Sequence, residues 1–569
     1  MSIFLPRSDV QNVLSSWLRR CAATAVAALL AQVLAAAPAA KPQVEPIAAK
    51  PRVEPIAAKP QVEPIAAKPQ VDKNASKEDP LARAKEWFSA AKRARKGLGG
   101  EAVAELQPIV ADLRIALASR PALRSEIALV LLDIASLAPR ADAGATGATT
   151  PEQQASALAF EALGRGLDLD ESGEFARAIA AQIGAEASEL PLERRRAAVD
   201  ALRGRRVEAT IGALVAATES SVLELRDAAT LALGGWNHPE VNRAMVAQWI
   251  LLRSDPRRSR VRHVERHLAS VRLPPGSPLE RALFETLRPD LVSRDWRATL
   301  RALRASDALD NAVAAPTLIE ALALWIGRRR SGEGGSPRVE HEFVLALQRR
   351  SGKNIGPYPE RWSRWWRHVN ENGPGLGPEA PPQQASRATF YGLRPATDRV
   401  CFVLDRSGSM ESKRGNGEAR YNQALGELER FLREMGPQTR FRLVLFSTGI
   451  HVWRDDLTAA TPSAIADALN WAGYRKPDGG TELRPAIEHV LRLGRDGRPD
   501  LSKLEEDTVI VLCDGATAEG PAWVEPLLER VGAEACVTFH CVMIGRGSGD
   551  GVLPGLARLS GGEYVETDG

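Results

Sequence analysis

The sequence predicts a multidomain chain: a long α-helical region followed by an α/β domain built on a doubly wound, mainly parallel sheet. Three observations predict it. The 569 residues exceed one core; at roughly 150 residues per domain they imply three or four modules. From about Pro80 to Asn370 apolar residues recur every three and four positions, Arg and Glu fill the other faces, and β-branched runs are rare, which is a helical pattern. From Thr397 onward short apolar runs alternate with amphipathic stretches, the pattern of a parallel sheet covered on both faces.

Composition narrows the function classes. A net charge of +4 is too small at this length for a global field that attracts nucleic acid. The cysteines are Cys21, Cys401, Cys513, Cys536 and Cys541. No C-x-x-C pair occurs, which argues against zinc, and cysteine is too sparse for a disulfide scaffold. Cys401 and Cys513 fall on strands expected to be neighbours, so a disulfide is conceivable there, although buried free thiols are the expectation.

The elements follow in order. Residues 1–39 read as a secretory signal or a signal anchor: Arg19 and Arg20 precede the apolar run Cys21–Ala37, and "APA" at Ala37–Ala39 offers small residues for cleavage. The run is just long enough to span a bilayer, so an uncleaved anchor and an alanine-rich cytosolic helix are the alternatives. Residues 40–78 carry a proline-rich spacer, in which "KPQVEPIAA" and its variants repeat from Lys41. Two prolines per unit stop helix and sheet and favour extended polyproline-like chain. The spacer reads equally as a stalk or as a drifting low-complexity tract.

Residues 79–370 form the helical region. Its clearest unit is Leu192–Val241, with Ala197, Leu202, Ile211, Leu214, Leu225, Ala229 and Leu233 on the inward stripes. The spacing of these helix pairs, with "LRDAATLALGGW", resembles HEAT-type repeats, which implies a stacked solenoid. In "RRSRVRHVERH" (Arg257–His267), His263 and His267 lie four apart, a spacing that can hold a metal. The H-V-E-R-H order and the lack of a third ligand favour a solvated basic face instead. Trp362, Trp365 and Trp366 read as rings capping the end of the helical stack, with an aromatic ligand or protein pocket as the alternative. Residues 371–395, rich in Gly and Pro at their start, are an interdomain linker.

Residues 396–569 are the α/β domain. "RVCFVLD" (Arg399–Asp405) and "DTVIVLCDG" (Asp507–Gly515) are buried strands that both end at an aspartate. Helices are expected at Ala419–Met435 and Glu482–Gly494, and a strand with a hairpin at Thr439–Trp453. In such sheets a site lies at the carboxyl ends of the strands, which brings Asp405 and Asp514 to one edge.

"DRSGSM" (Asp405–Met410) resembles the D-x-S-x-S signature of the von Willebrand factor A domain family, whose fold is Rossmann-like and whose metal site is called MIDAS. "GGTEL" supplies Thr481 and "LCDGAT" supplies Asp514, each where the family has its threonine and second aspartate. Cys513 stands where the family often has threonine. The resemblance implies that Ser407 and Ser409 ligate a metal directly, that Thr481 does so in the ligand-bound arrangement, and that Asp405 and Asp514 act through bound waters. It also implies a partner protein that completes the coordination with a carboxylate. Hard, mostly neutral oxygen donors suit Mg²⁺, with Mn²⁺ or Ca²⁺ as substitutes. Gly408 is expected to allow a tight turn, and Gly479 with Gly480 to let Thr481 approach.

These features predict a non-enzymatic, metal-dependent protein-binding or adhesion-type module on a helical scaffold. The chain would be exported or held at the cell envelope, touching membrane only through its N-terminal segment, with a bacterial cast to its domain set. Further protein contacts would fall to the helical region. One alternative is an intracellular assembly partner of an ATPase or chelatase-type system; no G-x-x-x-x-G-K-[ST] loop occurs, so the chain would not be the ATPase. A second is a hydrolase using Ser407, which would need a base within reach; His451, His489 and His540 are the nearest candidates, none expected at the Asp405 edge. Nucleic-acid binding through Arg253–Arg272 is not expected.

Overall fold

The computed structural model describes residues 79–94, 97–138, 149–184, 189–252, 261–373, 389–413, 417–545 and 549–567. The expected leader and spacer, most of the linker, and the start of the basic stretch at 253–260 lie outside the described residues.

The first part is helical: α1 (Pro80–Arg93), α2 (Gly100–Ser119), α3 (Arg124–Ala135), α4 (Pro151–Asp168), α5 (Glu174–Ala180), α6 (Leu192–Leu202), α7 (Ile211–Thr218), α8 (Leu223–Leu233), α9 (Pro239–Leu252), α10 (Val261–Ser270), α11 (Pro278–Leu291), α12 (Trp296–Ala305), α13 (Asn311–Ser331), α14 (Pro337–Ser351) and α15 (Pro359–Asn372). Local signals set the starts. Thr150 and Gln153 form a reciprocal capping box on α4, and Asp295 and Asp310 accept N–H groups at the starts of α12 and α13. The seven inward residues expected between Ala197 and Leu233 are all buried in one apolar core that runs through the helical region. Trp362 is fully buried and donates to the Gly356 carbonyl, with Trp365 and Trp366 packed beside it on that core, so the rings do close the helical stack.

The basic-face expectation for α10 needs correction. His267 and Glu265 are buried, and both nitrogens of His267 are engaged, with the Gly235 N–H at 3.2 Å and Asn242 Oδ1 at 3.0 Å. An amphipathic helix under a second domain has no fully solvated side, and the engaged ring is not offered to an ion.

The second part is a seven-stranded sheet of β1 (Arg399–Asp405), β2 (Arg440–Phe446), β3 (Ile450–Val452), β4 (Thr458–Ala459), β5 (Thr508–Cys513), β6 (Thr538–Ile544) and β7 (Tyr564–Thr567). Its order is β3-β2-β1-β5-β6-β7, with β4 also on β2; β3 and β4 are antiparallel to β2 and every other pair is parallel. The chain turns back at β1, so the switch point lies between β1 and β5. Alternate residues of β1 face opposite cores: Cys401 and Val403 meet α18 (Leu483–Val490), α19 (Val524–Ala535) and α20 (Val552–Ser560), while Val400, Phe402 and Leu404 meet α16 (Arg420–Met435) and α17 (Pro462–Gly473). Helix α18 stops four residues earlier than its periodicity suggested, because Arg492 adopts a left-handed φ of 54° that ends the turn.

The register excludes the conceivable disulfide. Cys401 pairs with Val509, whereas Cys513 follows Leu512, the partner of Leu404. Four rungs of about 3.3 Å separate the two sulfurs, and both are free, buried thiols.

The helical part meets the amino edge of this sheet and one flank. Arg297 on α12 donates from Nε to the Ala535 carbonyl at 3.1 Å and from Nη2 to the Leu504 carbonyl. Trp296 is stacked by both Arg297 and Arg399. Arg266 pairs with Glu529 on α19 at 3.2 Å, and Cys536 joins the helical core. The carboxyl edge of the sheet is the opposite end.

Candidate metal centre

At the carboxyl edge, β1 delivers Asp405 and a short 3₁₀ turn (Gly408–Glu411) carries Ser409. The Ser407 N–H donates to Asp405 Oδ1 at 2.6 Å. Ser407 Oγ lies 3.0 Å from Ser409 Oγ, and Ser409 Oγ donates to Asp514 Oδ1 at 2.7 Å. Four of the five expected residues therefore form one connected oxygen cluster at the switch point. Thr481 is brought alongside by its backbone: the Gly408 N–H donates to the Gly479 carbonyl at 3.1 Å, and the Thr481 carbonyl accepts the Ala518 N–H at 2.9 Å. Among the described residues its hydroxyl makes no hydrogen bond to the other four.

Arg406 pins the threonine loop. It binds the Lys476 carbonyl at 2.6 Å and Asp478 at 2.8 Å, while its own carbonyl accepts the Asp478 N–H. The glycine expectations divide. Gly479 has φ +75° and a Cβ there would lie 2.3 Å from Thr448 Oγ1, so only glycine fits. Gly408 and Gly480 have neither a positive φ nor a close neighbour, so the tight turn after Ser407 does not depend on glycine.

The electrostatics are those of a nearly buried pair of acids. Burial raises the Asp405 carboxyl to about 6, against the lowering effect of the Ser407 donors and of Cys513. Cys513 donates from Sγ to Asp405 Oδ2 at 3.1 Å. Burial, and then the Asp405 charge, hold that thiol well above its usual range, so it remains a donor. Asp514 is matched by Arg420, the first residue of α16, whose Nη1 lies 2.8 Å from Oδ2. Sequence reasoning missed this arginine; it read only as the start of an amphipathic helix.

No histidine reaches Ser407 among the described residues: His451 contacts Arg406, His540 bonds the Glu563 N–H, and His489 lies within α18. Among the described residues no group of three or more His, Cys, Asp or Glu side chains is placed to hold a metal ion, and two of the four residues of this oxygen cluster are serines.

Residues 400–516 match the family model for the von Willebrand factor type A domain. The C-terminal domain is a von Willebrand factor type A domain. Curated relatives include inter-alpha-trypsin inhibitor heavy chain H3 of Mesocricetus auratus, 28% identical over 142 residues, and heavy chain 4 of Mus musculus, 30% identical over 130 residues. The matches cover 25% and 22% of this chain but only 15% and 13% of those proteins, so the chain spans a small fraction of the length of the relatives it matches. Among solved structures, BatB from Bacteroides thetaiotaomicron is 17% identical, with a TM-score of 0.23 over 30% of this chain and 89% of that chain. The RO (RSR) protein of Deinococcus radiodurans is 15% identical, with a TM-score of 0.19 over 85% of this chain and 99% of that one.

The A-domain donor set fits a hard divalent ion. Adjacent oxygens around an octahedral Mg²⁺ at about 2.0–2.1 Å lie about 2.9 Å apart. The Ser407–Ser409 and Ser409–Asp514 separations, 3.0 and 2.7 Å, bracket that spacing.

Proposed function

We propose that the A domain is a metal-dependent protein-binding module carried on the helical region as a scaffold of HEAT-like repeats. The carrying observation is the oxygen cluster of Asp405, Ser407, Ser409 and Asp514 at the switch point. Ser407 and Ser409 would hold the ion, with Thr481 joining them and the two aspartates supplying charge around it. Bound there, Mg²⁺ supplies an electrophilic centre that accepts a carboxylate from a partner protein. We read the site as a binding surface rather than a reaction centre; in support, no histidine among the described residues reaches Ser407. The leader and repeat spacer support an exported or envelope-held protein.

The test is calorimetry with Mg²⁺ and Mn²⁺ on the full chain, comparing wild type with an Asp405→Ala, Ser407→Ala double variant. Heat of binding lost in the variant supports the reading. Equal heat in both proteins refutes it.

A further inference from the structure

We infer that Arg420 is a built-in counter-charge that holds down the affinity of the site for its divalent ion. The inference rests on the metal-binding reading of the oxygen cluster. Both oxygens of Asp514 are occupied by donors of different kinds: Oδ1 accepts from Ser409 Oγ at 2.7 Å and Oδ2 from Arg420 Nη1 at 2.8 Å. The Asp514 side chain is fully buried, and that of Arg420 is about three-quarters buried. This pair is therefore poorly screened and belongs to the interior of the site.

The second arginine at this edge is differently employed. Arg406 is paired with Asp478 and with the Lys476 carbonyl, so its charge is balanced within the threonine loop. Arg420 instead offsets one of the two aspartates that an ion would use. With both aspartates ionised, the cluster of Asp405, Asp514 and Arg420 carries one net negative charge. A divalent ion reverses it to one net positive charge, and without Arg420 the loaded site would be neutral. The guanidinium thus opposes the ion and leaves the loaded site demanding an anion, which a partner carboxylate supplies. A monovalent and a divalent cation sharing one carboxylate repel by about tenfold in affinity even at the dielectric of water.

The test is equilibrium binding of Mn²⁺ alone to the full chain, followed by the electron spin resonance of free Mn²⁺, in wild type, Arg420→Met and Arg420→Lys. Arg420→Met is expected to bind Mn²⁺ at least tenfold more tightly, and Arg420→Lys close to wild type. Tightening in Arg420→Met but not in Arg420→Lys separates the charge from a purely structural role, and the gap should change little with salt because the pair is buried. Unchanged or weaker binding in a folded Arg420→Met overturns the inference and leaves the metal-binding reading intact. Should Arg420→Met not fold, Arg420→Gln replaces it with the same expectation. Absence of Mn²⁺ binding in wild type and variants alike overturns both readings.

Discussion

At the amino edge of the sheet, Asp398, Arg399 and Asp507 lie under the helical region; at the carboxyl edge, Asp405 and Asp514 lie at the far ends of the neighbouring strands. Both edges bury aspartates and raise them: burial and the neighbouring Asp507 bring Asp398 to about 6, burial also raises Asp507, and at the other edge burial brings Asp405 to about 6. The partners differ. Asp507 accepts hydroxyls from Thr397 at 2.5 Å and Thr508 at 2.9 Å and faces Arg399 at 3.7 Å, all within a packed interface. The serines of the carboxyl edge instead contact one another and link two carboxylates, Ser407 meeting Asp405 and Ser409 meeting Asp514. The same residue types serve as structural cement where the helical region covers them, and form the candidate ligand set at the edge that no described helix of the first part covers.

The sharpest way to break this comparison is Asp405→Asn. The amide has the carboxylate's shape, and burial already disfavours the charge. Ion binding should fall at least a hundredfold, while the thermal midpoint moves by only a few degrees. Calorimetry with and without Mn²⁺ measures both. A collapse of the fold would put Asp405 with the amino-edge acids as a structural residue.

The mirror experiment is Arg297→Ala. Removing this guanidinium leaves the carbonyls of Ala535 and Leu504 buried without their donor, at a cost of about 2–4 kcal/mol. The expected calorimetric result is separation of the unfolding of the helical region from that of the A domain, with Mn²⁺ affinity unchanged. A parallel loss of ion affinity would show that the two edges are coupled.

The site was more legible in the sequence than the interface that presents it. Asp405, Ser407, Ser409 and Asp514 announce themselves because a strand must be apolar until it ends, and polar residues at that point stand out; Thr481, in a loop before a helix, was legible only through the family resemblance. Trp296, Arg297 and Cys536 gave no such signal. A tryptophan beside an arginine suits any amphipathic helix, and only long-range packing reveals that this pair meets a second domain. Arg420 was hidden for the same reason: its partner, Asp514, is 94 residues away in the chain.

Acid should act on the covered side first. Burial lowers His267, and with it His263 and His540, to about 4. A histidine depressed in the folded state contributes stability that is present above its unfolded value near 6.5 and is lost as pH falls through about 4. For His267, whose Nδ1 accepts the Gly235 N–H, protonation breaks that bond, and the loss is up to about 3 kcal/mol. Glu265 and Asp398, raised to about 7 and 6, have the opposite slope: their contribution is present below their unfolded values near 4 and is lost as pH rises through 6 to 7. Urea unfolding between pH 4 and 7 should therefore show a shallower acid loss in His267→Gln than in wild type. An unchanged slope would remove His267 from the acid response.

A smaller effect belongs to the threonine loop. Gly479→Ala forces a left-handed φ on alanine and drives its Cβ into Thr448, costing about 1–2 kcal/mol. Because this loop carries Thr481, ion affinity should drop about tenfold, read from the same Mn²⁺ titration. Gly480→Ala, with open space around it, should change neither quantity; a loss there equal to that of Gly479→Ala would mean that the loop is held by something other than its fit against Thr448.

The smallest predicted effect isolates what a donor onto a buried aspartate is worth at each edge. Asp507 receives two hydroxyls; Asp405 receives the Cys513 thiol at 3.1 Å. A thiol is a weak donor, and this one lowers a carboxyl that burial has raised. Cys513→Ser keeps a donor of similar size, so Mn²⁺ affinity should stay within about threefold and stability within about 1 kcal/mol. Cys513→Val keeps the volume and removes the donor. Asp405 Oδ2 is then left with the Asp514 N–H at 3.5 Å, its carboxyl moves further up, and ion binding weakens more than in the serine variant, most visibly below pH 7. Equal behaviour of the two variants would make Cys513 a packing residue, and the carboxyl edge would then orient Asp405 through the Ser407 N–H alone.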